Sequence, residues 1–154
     1  MKKILASFLF GTATIGFASA AIGAISEAKA TYIAAEKSAS DNYKMARQKC
    51  DALVGNPKNV CIEEAKAVEK RSKADAEAEY KNTTEALMKA RVAGIDADYA
   101  LARARCGVIA DMGKEACIKE AKAIQAKAIA ELKLNKEIEE MKSEAAEDKR
   151  DADY

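Results

Sequence analysis

The segment Tyr43-Lys-Met-Ala-Arg-Gln-Lys-Cys50, followed after ten intervening residues by Cys61-Ile-Glu-Glu-Ala-Lys-Ala67, occurs twice in the chain with substitutions. The second copy lies 56 residues further on, without a gap, as Tyr99-Ala-Leu-Ala-Arg-Ala-Arg-Cys106 and Cys117-Ile-Lys-Glu-Ala-Lys-Ala123. Of the 25 aligned positions, 11 are identical, and they include both cysteines and the tyrosine. The sequence therefore predicts an internal repeat over residues 43–67 and 99–123.

Each repeat predicts a helical hairpin, because a helical run ends near one cysteine and a second run begins near the next. The first break is Gly55-Asn56-Pro57-Lys58-Asn59, in which proline cannot continue a helix. The second break is Ala110-Asp111-Met112-Gly113-Lys114, in which the glycine is typical of a helix end. We expect two hairpins with cysteines on both sides of each turn.

Four cysteines allow three disulfide connectivities, and the sequence alone does not choose among them. The repeat symmetry favours Cys50 with Cys61 and Cys106 with Cys117, which would place one disulfide at the turn of each hairpin. Closing such a loop contributes roughly 3 kcal/mol in the chain-entropy model. The alternative is a thiol redox pair or a metal site, although the spacing fits neither a C-x-x-C motif nor the usual zinc ligands.

One stripe of a helix is predicted beside each disulfide. Tyr43, Ala46 and Cys50 stand at positions i, i+3 and i+7, and Tyr99 and Ala102 repeat the pattern before the third cysteine. We expect the tyrosines and alanines to line the seam between paired helices. A tyrosine exposed for ligand stacking is the alternative interpretation.

Arg47 and Arg103 occupy equivalent positions one residue away from these stripes. We expect their stems to cover apolar surface at the rim while the guanidinium groups remain in water. Recognition of a phosphate or carboxylate is the alternative role for this pair.

The first twenty residues predict a secretory signal peptide. Lys2 and Lys3 precede an apolar stretch at 4–17, and Ala18-Ser19-Ala20 is a small-x-small cleavage site. We therefore expect cleavage after Ala20 and one helical domain over 21–154 in the periplasm or outside the cell. An uncleaved membrane anchor is the alternative, although glycine and threonine residues interrupt the apolar stretch.

The mature chain is rich in alanine, lysine and glutamate and contains only 20 leucine, isoleucine and valine residues. These abundant residues are strong helix formers, but they cannot build a thick core. We expect an all-α, elongated, coiled-coil-like antiparallel rod of three helices over about 24–54, 60–110 and 114–148. An apolar heptad pattern that continues through Gly94 favours one long central helix, and a four-helix bundle broken at Gly94 is the alternative.

The composition argues against several classes of function. The chain has no histidine, so it lacks the commonest general base and metal ligand. It also has no phosphate-binding loop or hydrolase motif. With 26 basic and 25 acidic residues, nothing in its charge indicates nucleic acid as a partner. We expect no enzymatic activity, no cofactor and no metal.

The repeated pattern resembles a group of alanine-rich, exported helical proteins of Gram-negative beta-proteobacteria. Their pattern is similar to Tyr-Lys-x-Ala-x-x-Lys-Cys, a loop with Gly-Asn-x-Lys, and then Cys with Glu-Ala-Lys-Ala. The first repeat matches this pattern, whereas the second departs from it at Asp111-Met112-Gly113-Lys114. The resemblance implies an exported helical protein and carries no established activity.

Three functional hypotheses follow. The first is a non-enzymatic scaffold or interaction protein of the cell envelope that associates with itself or with another protein. A role in envelope stress is one form of this hypothesis. The second is a chaperone-like or ligand-binding helical module. The third is a thiol redox protein that uses the four cysteines.

Overall fold

The computed structural model describes residues 18–152, and this part of the chain is almost entirely helical with no strand. Residues 1–17, which hold most of the predicted signal peptide, lie outside the described residues, so the signal peptide stays a prediction. The helices are α1 (Ala18–Lys49), α2 (Gly55–Lys81), α3 (Thr84–Arg105) and α4 (Asp111–Ala152), with short 3₁₀ turns at Cys50–Ala52 and Cys106–Val108.

Two disulfide-bonded helical hairpins form, as the sequence predicts. Cys50 is bonded to Cys61 at the turn between α1 and α2, and Cys106 to Cys117 at the turn between α3 and α4. The Cα atoms are 5.7 and 5.8 Å apart, which is within the usual range for a disulfide. The all-α class and the two hairpins are therefore confirmed.

The predicted continuous helix over 60–110 is wrong, because the chain reverses at Asn82 and Thr83. Asn82 takes the left-handed conformation, with φ 46°, and its N–H donates to the Ala78 carbonyl at 2.8 Å. Asparagine tolerates this conformation better than most residues. Thr83 then caps α3, because its side-chain oxygen accepts from the Ala86 N–H at 3.2 Å.

Gly94, where the alternative model placed the break, lies inside α3. The nearest group across the interface is Arg71 of α2, whose Nε is 3.9 Å from the position that a Cβ would take. The heptad pattern was misleading because several of its members, including Tyr80, Leu87 and Val108, are exposed rather than buried. The arrangement has four helices, but the break between the hairpins lies 11 residues before the predicted position.

The reversal makes α2 and α3 antiparallel. Arg105 pairs with Glu64 at 3.0 Å near one end of the two helices, and Arg71 pairs with Asp98 further along. Consecutive helices pack together, so the four helices run alternately up and down. Both disulfide-bonded turns therefore lie at one end, which we call the stapled end. The predicted three-helix rod, with one disulfide-bonded turn at each end, does not form.

Alanine supplies most of the buried surface. Ala78, Ala86 and Ala90 form a core cluster between α2 and α3, and Ala74 packs against them. In the described region the buried apolar residues are Ala39, Cys50, Ala65, Ala67, Ala76, Ala78, Ala86, Ala90, Ala97, Cys106, Ala121 and Leu132. Such small side chains let helices approach closely, but each buries little apolar area.

Equivalent residues of the two repeats differ in burial, depending on where their helix lies in the four-helix arrangement. Ala65 and its equivalent Ala121 are both buried. Ala67 is also buried, whereas its equivalent Ala123 is exposed. The physical reason is that α2 lies between α1 and α3, while α4 packs against α3 on one side.

Replacing Thr83 by alanine is expected to lower the free energy of unfolding by about 1 kcal/mol, because the N-cap hydrogen bond to Ala86 is lost. Urea denaturation followed by circular dichroism measures the change. Thr84→Ala is the matched control, since Thr84 stands one residue inside the helix. Equal losses in the two variants would contradict the capping role.

Replacing Cys50 and Cys61 together by serine is expected to lower the free energy of unfolding by roughly 3 kcal/mol, because the unfolded chain gains the entropy of an open loop. The same double change at Cys106 and Cys117 is the control, since both loops have the same sequence separation of 11. Denaturation of the oxidised proteins measures both losses. A loss too small to measure in both would show that packing alone holds the hairpins.

Candidate functional site at the stapled end

The two turns at the stapled end have the same local structure. The Leu53 N–H donates to the Cys50 carbonyl at 3.0 Å, and the Ile109 N–H donates to the Cys106 carbonyl at 3.1 Å. Leu53 and Ile109 are then extended, and the chain re-enters a helix two residues later. The predicted breaks at 55–59 and 110–114 were placed a few residues too late. Proline is tolerated at position 57 because it lies in the first turn of α2.

The disulfides are partly shielded from solvent. Cys50 is fully buried and Cys106 is 1% exposed, so one partner of each bond is inaccessible. Cys61 and Cys117 are partly buried, and no cysteine in the described region is free. This arrangement suits a bond that holds two helices together.

All four predicted seam residues are partly buried: Tyr43, Ala46, Tyr99 and Ala102. The structure does not bring the two tyrosines together as a stacked pair. A stack does form elsewhere, between Tyr32 of α1 and Tyr80 of α2, with ring centroids 5.0 Å apart. Tyr32 and Tyr80 lie at nearly equal distances along the chain from the Cys50–Cys61 bond, and this spacing is the signal that could have predicted the stack.

A three-membered ion cluster stands at the first turn. The Asp51 carboxylate accepts from Arg47 Nη1 at 2.7 Å, and Lys58 Nζ lies 3.0 Å from the same oxygen. Hydrogen bonds from Arg47 and then Lys58 hold the pKa of Asp51 below its ordinary value of 3.8. The cluster connects the end of α1 to the beginning of α2 across the disulfide.

The second turn lacks this cluster because Gly107 stands where the first turn has Asp51. Asn56 of the first turn packs directly against Gly107, and a Cβ at position 107 would overlap the Asn56 side-chain oxygen. The two turns are therefore in contact. The Asn56 side-chain nitrogen is buried and has no hydrogen-bond partner in the described region.

The stapled end also presents a group of exposed apolar side chains, which we call the apolar tip. Val54, Val108 and Met112 are 83%, 71% and 87% exposed. Leu53 and Ile109, one in each turn, are also exposed. Scattered apolar residues are ordinary on a surface, whereas a larger exposed apolar patch is a common feature of interaction sites. The sequence alone does not predict the tip, because the expected three-helix rod has its two turns at opposite ends.

Two large grooves flank the helices. One, of about 740 Å³, lies beside the contact between the turns and includes Tyr99 and Arg103. Another, of about 750 Å³, lies between the beginning of α3 and the later part of α4 and includes Leu87 and Met88. At this second groove Lys136 and Glu140 form an ion pair at 3.0 Å.

Among the described residues, no group of three or more His, Cys, Asp or Glu side chains has an arrangement that could hold a metal ion. Over the same residues, no helix combines the length and apolar character needed to cross a membrane.

Comparisons with protein-family models, with curated proteins and with solved structures find no match to this chain. The resemblance to alanine-rich exported proteins of beta-proteobacteria stays a prediction from the repeated motif.

Carboxyl NMR titration is expected to give Asp51 a pKa below 3.8, because Arg47 and Lys58 favour its charged form. The resulting stabilisation is present above the unfolded-state pKa and is lost as the pH falls through the lowered folded pKa. In the Arg47→Gln variant the Asp51 pKa is expected to rise. An unchanged value in that variant would contradict the role of Arg47.

Proposed function

We propose that this protein is a non-enzymatic, exported helical interaction protein that binds a protein partner through its apolar tip. The exposure of Val54, Val108 and Met112 in two adjoining, disulfide-bonded turns is the observation that carries this proposal. The apolar side chains at the stapled end are exposed to water in the free protein. A partner that covers them removes this apolar surface from water, and that burial favours binding.

The disulfides support this role because they hold the tip in one conformation before binding. A preorganised surface loses less conformational entropy on association than a flexible one. The burial of Cys50 and Cys106 supports a structural rather than a redox role for these cysteines.

The two disulfides indicate an oxidising environment outside the cytoplasm. Within that class of compartment we propose the periplasm of a Gram-negative cell, on the basis of the predicted signal peptide and the resemblance to exported proteins. The cell envelope would then supply the partner.

The test introduces a photo-crosslinking amino acid at Val54 in the protein expressed with its signal and purified from the periplasm. We expect a crosslinked product of defined mass, either a homodimer or a complex with one protein. The variant Val54→Ser with Val108→Ser and Met112→Ser is expected to lose a homodimer or complex on native mass spectrometry.

The matched control replaces three exposed apolar residues away from the tip, with Ile33→Ser, Ile124→Ser and Met141→Ser. This variant is expected to keep the complex. Absence of any crosslink at Val54, or equal loss of the complex in both variants, would overturn the proposal.

The apolar tip also favours a second function, that of a chaperone-like module that captures partly unfolded proteins. Light scattering by a reduced, aggregating client protein distinguishes the two. Suppression at a near-equimolar ratio, lost in the tip variant, would assign the chaperone function. No suppression together with a single defined complex would assign the scaffold function.

A further inference from the structure

The two disulfide-bonded turns are repeats of each other, so each residue of one turn can be compared with its equivalent in the other. In the first turn, the Asp51 carboxylate lies between two cations, at 2.7 Å from Arg47 and 3.0 Å from Lys58. The repeat places Arg103 and Lys114 at the equivalent positions of the second turn. The cations are therefore kept in both repeats.

The carboxylate is not kept, because Gly107 stands at the position of Asp51. Among the described side chains, neither Arg103 nor Lys114 makes an ion pair in the structure. The second turn has the two cations at the positions that bind a carboxylate in the first turn, but Gly107 supplies no carboxylate between them.

Both cations line the groove of about 740 Å³ beside the turns. The other charged groups lining it are Lys66 and Glu63, which pair with each other at 2.8 Å. The groove therefore has an excess of positive charge, which attracts an anion. Because guanidinium groups bind carboxylates through two parallel hydrogen bonds, Arg103 is the stronger anchor.

Asn56 lines the same groove and has a buried side-chain nitrogen without a hydrogen-bond partner in the described region. Buried polar groups in native proteins are nearly always paired, so an unpaired donor here indicates an acceptor that the chain itself does not provide. The close approach of Asn56 is possible only because position 107 is glycine. One replacement thus removes the internal carboxylate and lets the Asn56 amide approach, with its oxygen nearest to position 107.

We propose that this groove binds a carboxylate-bearing ligand. Its carboxylate would contact Arg103 and Lys114 as Asp51 contacts Arg47 and Lys58, and it would accept a hydrogen bond from Asn56. The apolar part of the ligand would pack against Ile62, Tyr99 and Ile118, which also line the groove. This site is separate from the apolar tip and does not depend on the proposed partner.

The test titrates the oxidised, full-length mature protein with phenylacetate and follows backbone and side-chain amides by NMR. We expect saturable shifts at the Gly107 amide and the Asn56 side chain, with a dissociation constant in the millimolar range or tighter and weaker binding in high salt. Phenylacetamide, the neutral analogue, is expected to cause no such shifts. Equal shifts with phenylacetamide, or no saturable shift with phenylacetate, would overturn the proposal.

Arg103→Gln is expected to weaken phenylacetate binding about tenfold or more, because a charge-assisted hydrogen bond is lost. Arg47→Gln is the matched control, since Arg47 pairs with Asp51, and it is expected to leave binding unchanged. Equal effects of the two variants would overturn the assignment to the second turn.

A further variant restores the internal carboxylate. Because an aspartate at position 107 would collide with Asn56, Gly107→Asp is combined with Asn56→Ala and compared with Asn56→Ala alone. Asn56→Ala is expected to bind phenylacetate weakly, and the double variant is expected not to bind it. Retained binding in the double variant, with a well-dispersed spectrum, would overturn the proposal.

Two probes distinguish the source of the carboxylate. N-acetylphenylalanine mimics a peptide C-terminus, whereas phenylacetate represents a small organic acid. Tighter binding of the first supports a peptide ligand and tighter binding of the second supports a small acid. Inorganic phosphate is titrated as well, and phosphate binding at Arg103 tighter than that of both carboxylates would overturn the carboxylate assignment.

Discussion

The reversal of the chain at Asn82 and Thr83 is the constraint on which the rest of the structure depends. Left-handed Asn82 ends one helix, and the Thr83 side chain begins the next, so the second hairpin folds back along the first. This reversal brings both disulfide-bonded turns to the same end. The contact between Asn56 and Gly107, the groove beside it and the apolar tip exist only because of that arrangement.

The alanine core and the disulfides serve complementary purposes. Alanine faces such as Ala78 against Ala86 and Ala90 allow the helices to lie close, but they bury too little apolar surface to make a strong core. The covalent bonds offset this weakness by limiting the unfolded chain. They are placed at one end, where the exposed apolar side chains would otherwise be free to rearrange. The same two disulfides thus stabilise the folded protein and hold the apolar tip in place.

The repeats are alike in structure and different in chemistry. Both turns have a buried cysteine followed by a 3₁₀ turn. The first turn neutralises its own cations with Asp51, whereas the second has Gly107 and leaves Arg103 facing a groove. A repeated hairpin of this kind can keep one copy as a structural element while the other acquires a binding site. The carboxylate of Asp51 in the first turn therefore indicates which chemical group the second site would bind.

The helical class, the two hairpins and the pairing of the cysteines followed from local properties, because helix propensity and cysteine spacing act within each repeat. The break between the hairpins was missed, because a heptad pattern that runs through Asn82 and Thr83 favoured one continuous helix. The alternative four-helix bundle placed the break at Gly94. The tip and the groove could not be predicted, because they join residues from both repeats, including Asn56 and Arg103. The amino-acid sequence by itself determined the hairpins, and its repeat favoured the pairing of their cysteines without excluding the other connectivities. Only the tertiary structure decided which ends meet, because the direction of one hairpin relative to the other depends on two residues between them.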